Sequence, residues 1–173
     1  VCSVAGGQFE LVSSPGVAII SFTQVQAAGG AVRFAHDGGE AAPSYDVTVL
    51  DGGTSDGPDA ANITFINVND APVANNLNAS EIYTEDTPLD LTDIVVSDVD
   101  SANVTVALTL SDPLAGNLNT GTSGSVTSTY NAGTGVWTAS GATADVNALL
   151  ANLTFTPALN YNSNFTIVTT VDD

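Results

Sequence analysis

The chain has 173 residues, 19 of them acidic and one, Arg33, basic, for a formal net charge of −18. Its 43% hydrophobic content suits a packed core, so the acidity is not that of a disordered acidic tail. With no Lys and a single Arg, it offers no phosphate-binding surface to DNA or RNA, and an anionic membrane repels it.

The acid is fifteen Asp against four Glu. Glu favours helices, whereas Asp favours turns, caps and calcium loops. The charge is therefore either a solvating skin or a set of cation ligands. The chain has one cysteine, Cys2, and so no internal disulfide; Cys2 reads as a small buried hydrophobe or as an intermolecular bridge. No run of 18 apolar residues spans a membrane, and no basic n-region marks a signal peptide. Sequons stand at Asn62, Asn78, Asn103, Asn152 and Asn164; in a chain this rich in Asn, Thr and Ser they also arise by chance.

In chain order, short runs of β-branched and aromatic residues alternate with Gly, Asn, Asp and Pro clusters. Strands are expected at Val17–Phe22, Tyr45–Leu50 and Ile63–Val68, and then at Val104–Leu110, Gly124–Tyr130, Val136–Ser140, Leu153–Phe155 and Phe165–Val171. Period two with turns between is the pattern of antiparallel strands in a sandwich. Tyr130-Asn-Ala-Gly-Thr-Gly-Val136 reads as a hairpin turn. Thr143–Asn152 differs, with Val146, Leu149 and Leu150 at helical spacing and Thr143 placed to cap one or two turns.

Asn67-Val-Asn-Asp-Ala-Pro72 is a short, stiff linker, because Pro holds the residue before it extended. The expected organisation is a first domain at 1–68, a linker at 69–72 and a second domain at 73–173. The two sides of the linker resemble each other: Phe34 and Phe155 stand 121 positions apart, as do Asp51 and Asp172. On a repeat of roughly 120 residues, the first domain lacks roughly 48 leading residues and the second about 18 trailing ones, including a last strand. Both domains are thus expected to be incomplete at the chain ends, in a window of a longer array or in a subunit whose strands a neighbouring copy supplies.

Several motifs resemble cadherin-type repeats. Val47-Thr-Val-Leu-Asp-Gly-Gly53 precedes Ala61-Asn-Ile-Thr-Phe-Ile-Asn-Val-Asn-Asp-Ala-Pro72, and Tyr83-Thr-Glu-Asp-Thr-Pro88 precedes Val95-Val-Ser-Asp-Val-Asp-Ser101, which is similar to the cadherin Asp-x-Asp turn. Phe22-Thr-Gln24 and Val32–Glu40 resemble repeats of the chondroitin-sulfate-proteoglycan type. The second domain, through Thr143–Phe155, resembles the cadherin-like repeats of giant bacterial adhesins, including RTX-type ones.

The resemblance implies an all-β fold of tandem Greek-key sandwiches, cadherin-like or immunoglobulin-like, with Ca2+ between successive domains. Carried over residue by residue, it makes Asp37 and Glu40 the acids of the first domain's base. Asn69 and Asp70 become linker ligands, Asp98 and Asp100 the Asp-x-Asp turn, and Asp172 the acid that meets that turn. Asp51 and Glu85 fall at secondary positions facing other junctions. This chain departs from the pattern at Asn67, where the family has Asp, and at the second domain's base, which offers only Asn160, Asn162 and Asn164. One or two calcium ions are therefore expected rather than three.

The residues themselves point the same way, since Asp98 and Asp100 share one side of an extended segment and repel each other unless solvated or neutralised. The alternative is a solvated acidic loop. His36, the only His, reads as a turn residue more readily than as a metal ligand or base. No Ser is marked as a nucleophile, and the aromatics are too few for a glycosidase cleft. Trp137 reads as core rather than as a sugar platform.

The expectation is a non-enzymatic, calcium-stiffened extender or stalk segment of an extracellular, cell-surface adhesin. Its partners are neighbouring repeats, with any cell-surface or glycan ligand bound elsewhere in the parent protein. The alternative is a subunit of a self-assembling extracellular filament or surface layer that exchanges strands between copies.

Overall fold

The computed structural model describes residues 3–173, so the reading of Cys2 lies outside the described residues. The chain folds as two compact units, Val1–Val68 and Asn69–Asp173.

The first unit contains β1 (Val4–Ala5), β2 (Gly7–Leu11), α1 (Gln24–Ala28), β3 (Val32–His36), β4 (Ser44–Asp51) and β5 (Thr54–Ala60). β2 pairs antiparallel with β3, and β4 lies between β1 and β5. The register sets Phe9 opposite Phe34. Phe9 gathers the rings of Phe22, Phe34 and Tyr45 at centroid distances of 5.4, 5.4 and 4.8 Å. That cluster is the unit's core, because aromatic burial dominates where aliphatics are few.

Two expected strands of this unit do not form ladders. Among the described residues, the backbone of Val17–Phe22 meets β2 only through the Glu10–Ala18 bridge and an Ile19 N–H bond to the Phe9 carbonyl. Its inward residues, Ile19 and Phe22, are three positions apart, so the backbone turns instead of alternating. Ile63–Val68 keeps its alternation, with Ala61, Ile63 and Phe65 half-buried, yet Ala61 N–H to Tyr45 O is its last backbone bond. Alternation there records a buried face without a strand partner.

The second unit contains β6 (Val73–Asn75), β7 (Leu89–Asp90), β8 (Val95–Ser97), β9 (Asn103–Leu110), β10 (Gly116–Leu118), β11 (Thr122–Ser123), β12 (Val126–Thr127), β13 (Thr129–Asn131), β14 (Val136–Ala142), α2 (Thr143–Leu150), β15 (Thr154–Pro157) and β16 (Ile167–Asp172). The sheets run β13-β14-β9-β16 and β10-β15-β7, with β6-β8 and β11-β12 as small pairs. Every named pairing is antiparallel.

β9 explains the core. Val104, Val106, Leu108 and Leu110 alternate inward at 2% exposure or less and meet Trp137 and Ala139 of β14, Phe155 of β15, and Val146, Leu149 and Leu150 of α2. Burying a side chain of this size contributes about 1.5–3 kcal/mol. Trp137 is fully buried and donates its indole N–H to Asn119 O at 3.0 Å. It belongs to the core, as its place in an alternating strand implies.

The β13–β14 hairpin turns where expected. Asn131 O accepts the Gly135 N–H at 2.8 Å, and Gly135 sits at φ 68°, a conformation that favours glycine. The expected Gly124–Tyr130 strand is split into β12 and β13, because Ser128 turns inward and its hydroxyl bonds Gly121. α2 begins one residue earlier than a Thr143 cap requires. Ala142 is the N-cap, and Thr143 bonds Ala102 O through both its N–H and its hydroxyl, tying the helix to the loop before β9.

The fold is predominantly β, built of several small antiparallel sheets. Among the described residues no helix is long and apolar enough to cross a membrane. The internal repeat extends to the elements. Shifted by 121 positions, α1 falls within α2, β3 overlaps β15 and β4 overlaps β16.

Candidate metal centre

The acidic turn of the second unit follows directly from β8. Val96, at the centre of β8, is 1% exposed and bonds β6 on one side only. On the other side Asn147 of α2 acts as a strand substitute. Its Oδ1 accepts the Val96 N–H at 2.9 Å, and its Nδ2 donates to Val96 O at 2.8 Å. This paired amide fixes the exit of β8, and Asp98 follows two residues later.

Residues 98–101 form a tight turn rather than an extended run. Asp98 Oδ1 accepts the Asp100 N–H at 3.0 Å and the Ser101 N–H at 2.7 Å, the local bonding to which short Asp side chains are suited. The Ser101 N–H holds the Asp98 carboxyl below the usual carboxylate range against the opposing effect of burial, and Asp100 and Val99 add to the lowering. The group is therefore held ionised. Its second oxygen, Oδ2, is buried without a hydrogen-bond partner.

Asp100 and Asp173 complete the group. One carboxylate oxygen from each of Asp98, Asp100 and Asp173 lies within 4.8 Å of the other two. Ser101 Oγ donates to Asp173 Oδ2 at 2.9 Å. Asp70, at the start of the unit, donates its backbone N–H to Asp100 Oδ2 at 2.9 Å, so the linker is tied to the same turn. A buried carboxylate oxygen with no donor, on a residue grouped with two further carboxylates, is short of positive charge. An all-oxygen donor set suits a hard divalent cation, and this cluster can chelate one.

Asp172 is not a member of this group. Asp172 stands opposite Thr105 in the β16–β9 ladder, and its neighbour Asp173 reaches the turn instead. Successive strand residues face opposite ways, and Ile167, Thr169 and Val171 are the half-buried set of β16. Asp173 continues their parity and Asp172 does not. Asp173 and Ser101 are the members that the motif comparison misses, and the parity of Phe165, Ile167 and Val171 is the sequence signal that would have found Asp173.

In the first unit Asp37 accepts the Gly39 N–H at 2.9 Å, and Glu40 accepts the side-chain amide of Asn67. Asp51 ends β4, where its carbonyl accepts the Thr54 hydroxyl at 3.2 Å. In the second unit Asn69 points its amide at Asp70 O at 3.4 Å, and Glu85 lies in the 85–87 turn. His36 ends β3 rather than occupying a turn. It stacks on Phe65 at 5.1 Å and accepts the Gly38 N–H at Nδ1.

One further polar centre lies in the first unit. Glu10 is 2% exposed. It accepts Arg33 Nε at 2.7 Å, the Gly16 N–H at 2.7 Å and the Gln8 amide at 3.2 Å. These bonds, led by Gly16 and Arg33, hold its carboxyl below the ordinary 4.5. The single Arg of the sequence is thus spent on the one charged residue that is buried among the described residues.

No family model, curated protein or solved structure matches the chain.

Proposed function

We propose that the protein is a non-enzymatic extender of an extracellular repeat protein, a cell-surface adhesin of cadherin-like type, and that Ca2+ stiffens it. Each unit is read as one Greek-key sandwich of an array whose partners are neighbouring repeats. The carrying observation is the Asp98–Asp100–Asp173 cluster, in which Asp98 Oδ2 is buried without a hydrogen-bond partner. Calcium is favoured over magnesium because carboxylates from the 98–101 turn and from Asp173, distant in sequence, suit a flexible shell of six to eight oxygens. The bond from the Asp70 N–H to Asp100 gives the ion its mechanical role. Neutralising Asp100 and its neighbours secures the turn that holds the linker residue, and linker stiffness governs how far successive modules reach.

The cluster predicts that calcium raises the melting temperature above its value in EDTA, because a ligand bound only by the folded state stabilises it. Asp98→Asn should remove most of that rise while leaving melting in EDTA nearly unchanged or slightly higher, since it also relieves like-charge repulsion. Equal melting of the parent with calcium and with EDTA contradicts the reading.

A further inference from the structure

Proteases of basic specificity cut after Lys or Arg, whose charge enters a pocket that carries a carboxylate. In a sequence with no Lys and a single Arg they have one bond to use, Arg33–Phe34. That bond lies inside β3, which pairs with β2 from Gly7 opposite His36 to Leu11 opposite Val32. The Val12 N–H bond to Ala31 O at 2.9 Å carries the pairing one step further.

Both side chains that flank the bond are engaged. Arg33 is half-exposed, yet its guanidinium is turned onto Glu10, with Nε at 2.7 Å and Nη2 at 2.6 Å from Oε1. Glu10 is buried and is itself fixed by the Gly16 N–H and the Gln8 amide. Phe34 meets Phe9 edge-on at 5.4 Å and stacks on Tyr45 at 5.7 Å. A serine protease needs the Arg side chain free to enter its pocket and the substrate backbone free to pair with the enzyme. To present Arg33–Phe34 in that way, the chain must part β2 from β3, break the clasp on Glu10 and lift Phe34 out of the ring cluster that is the first unit's core. Those steps together open the unit, and cleavage of an opened state follows its population.

We propose that Arg33–Phe34 is a fold-gated cleavage site for a basic-specific serine protease, shut by the Glu10–Arg33 clasp and cut only when the first unit opens. As the amide bond breaks, water adds its hydroxyl to the Arg33 carbonyl carbon and its proton to the Phe34 nitrogen. Phe9 and Phe34 then belong to separate fragments, so a transient opening becomes permanent. The site uses no residue of the cation cluster and is independent of the extender reading.

The test is digestion of the 173-residue chain with trypsin at neutral pH, below its melting temperature, with the products weighed by mass spectrometry. The expected result is a chain that stays whole over the time in which the same chain unfolded in urea is split into residues 1–33 and 34–173. Ile82→Arg supplies a reference site, because Ile82 is 92% exposed and belongs to no strand or helix. That variant should be cut after position 82 about tenfold or more faster than after Arg33. Glu10→Gln keeps the shape of the side chain and removes its charge. Assayed where its melting curve shows it folded, it should be cut after Arg33 about tenfold faster than the parent. Cleavage of the native chain after Arg33 as fast as at position 82 overturns the proposal. So does an Ile82→Arg chain that stays whole, which would place the resistance outside β3. A folded Glu10→Gln chain cut no faster than the parent overturns the role of the clasp.

Discussion

Single side chains divide the molecule's −18 charge into groups with different physics. Glu10 is the acid that folding buries, and its stability contribution has a defined pH window. Its folded pKa lies below 4.5, so its contribution is complete above about pH 4.5 and is lost as pH falls through the lowered value. Glu10→Gln should therefore melt lower than the parent at pH 7, and the gap should close as the solution is acidified below pH 4.5 and through the lowered pKa. Thermal unfolding followed by tyrosine signals from the first unit at a series of pH values measures this. A gap that persists unchanged into strong acid would show that the Arg33 and Gly16 bonds do not act through the charge. Sequence counting alone reveals that Arg33 is solitary, but not that Glu10 is its partner. The two residues are 23 positions apart and meet only through the β2–β3 register. Asp98 and Asp100 are legible because their spacing marks a turn. Asp173 is not legible from motif spacing, and it follows only once strand parity is carried one residue past β16.

At the scale of elements, the acidic turn is positioned by a helix. Asn147 gives β8 a second hydrogen-bonded edge, and the turn at Asp98 begins where that edge stops. Asn147→Ala leaves the N–H and C=O of buried Val96 unsatisfied and should cost about 2–4 kcal/mol, with a buried orphaned polar group costing about 1–3 kcal/mol. Urea unfolding followed by Trp137 fluorescence reads the loss, and calcium affinity should fall with it. A loss of stability with calcium affinity intact would mean that the turn holds its own geometry. α2 itself is readable because Val146, Leu149 and Leu150 keep helical spacing and are buried. α1 is easily overlooked, since it spans only Gln24–Ala28 and has no buried residue. Its signal is the Thr23-x-x-Gln26 capping box, in which each side chain bonds the other's backbone, and the 121-residue shift from α2 points to the same place. Val17–Phe22 and Ile63–Val68 read as strands because hydrophobic period reports which side of a segment is covered. A ladder also needs a neighbouring backbone, and no local pattern encodes that.

At the scale of the whole molecule, the Asp98–Asp100–Asp173 group meets the linker through the bond from the Asp70 N–H to Asp100. On the proposed reading, an array of such units is compliant at its linkers and becomes stiffer when a cation ties the linker to the turn. Small-angle scattering on the 173-residue chain, in millimolar calcium and again in EDTA, tests this most directly. The account predicts a narrower distribution of distances with calcium than with EDTA, and Asp98→Asn introduced into the same chain should give the EDTA profile under both conditions. Identical dimensions with and without calcium would contradict it.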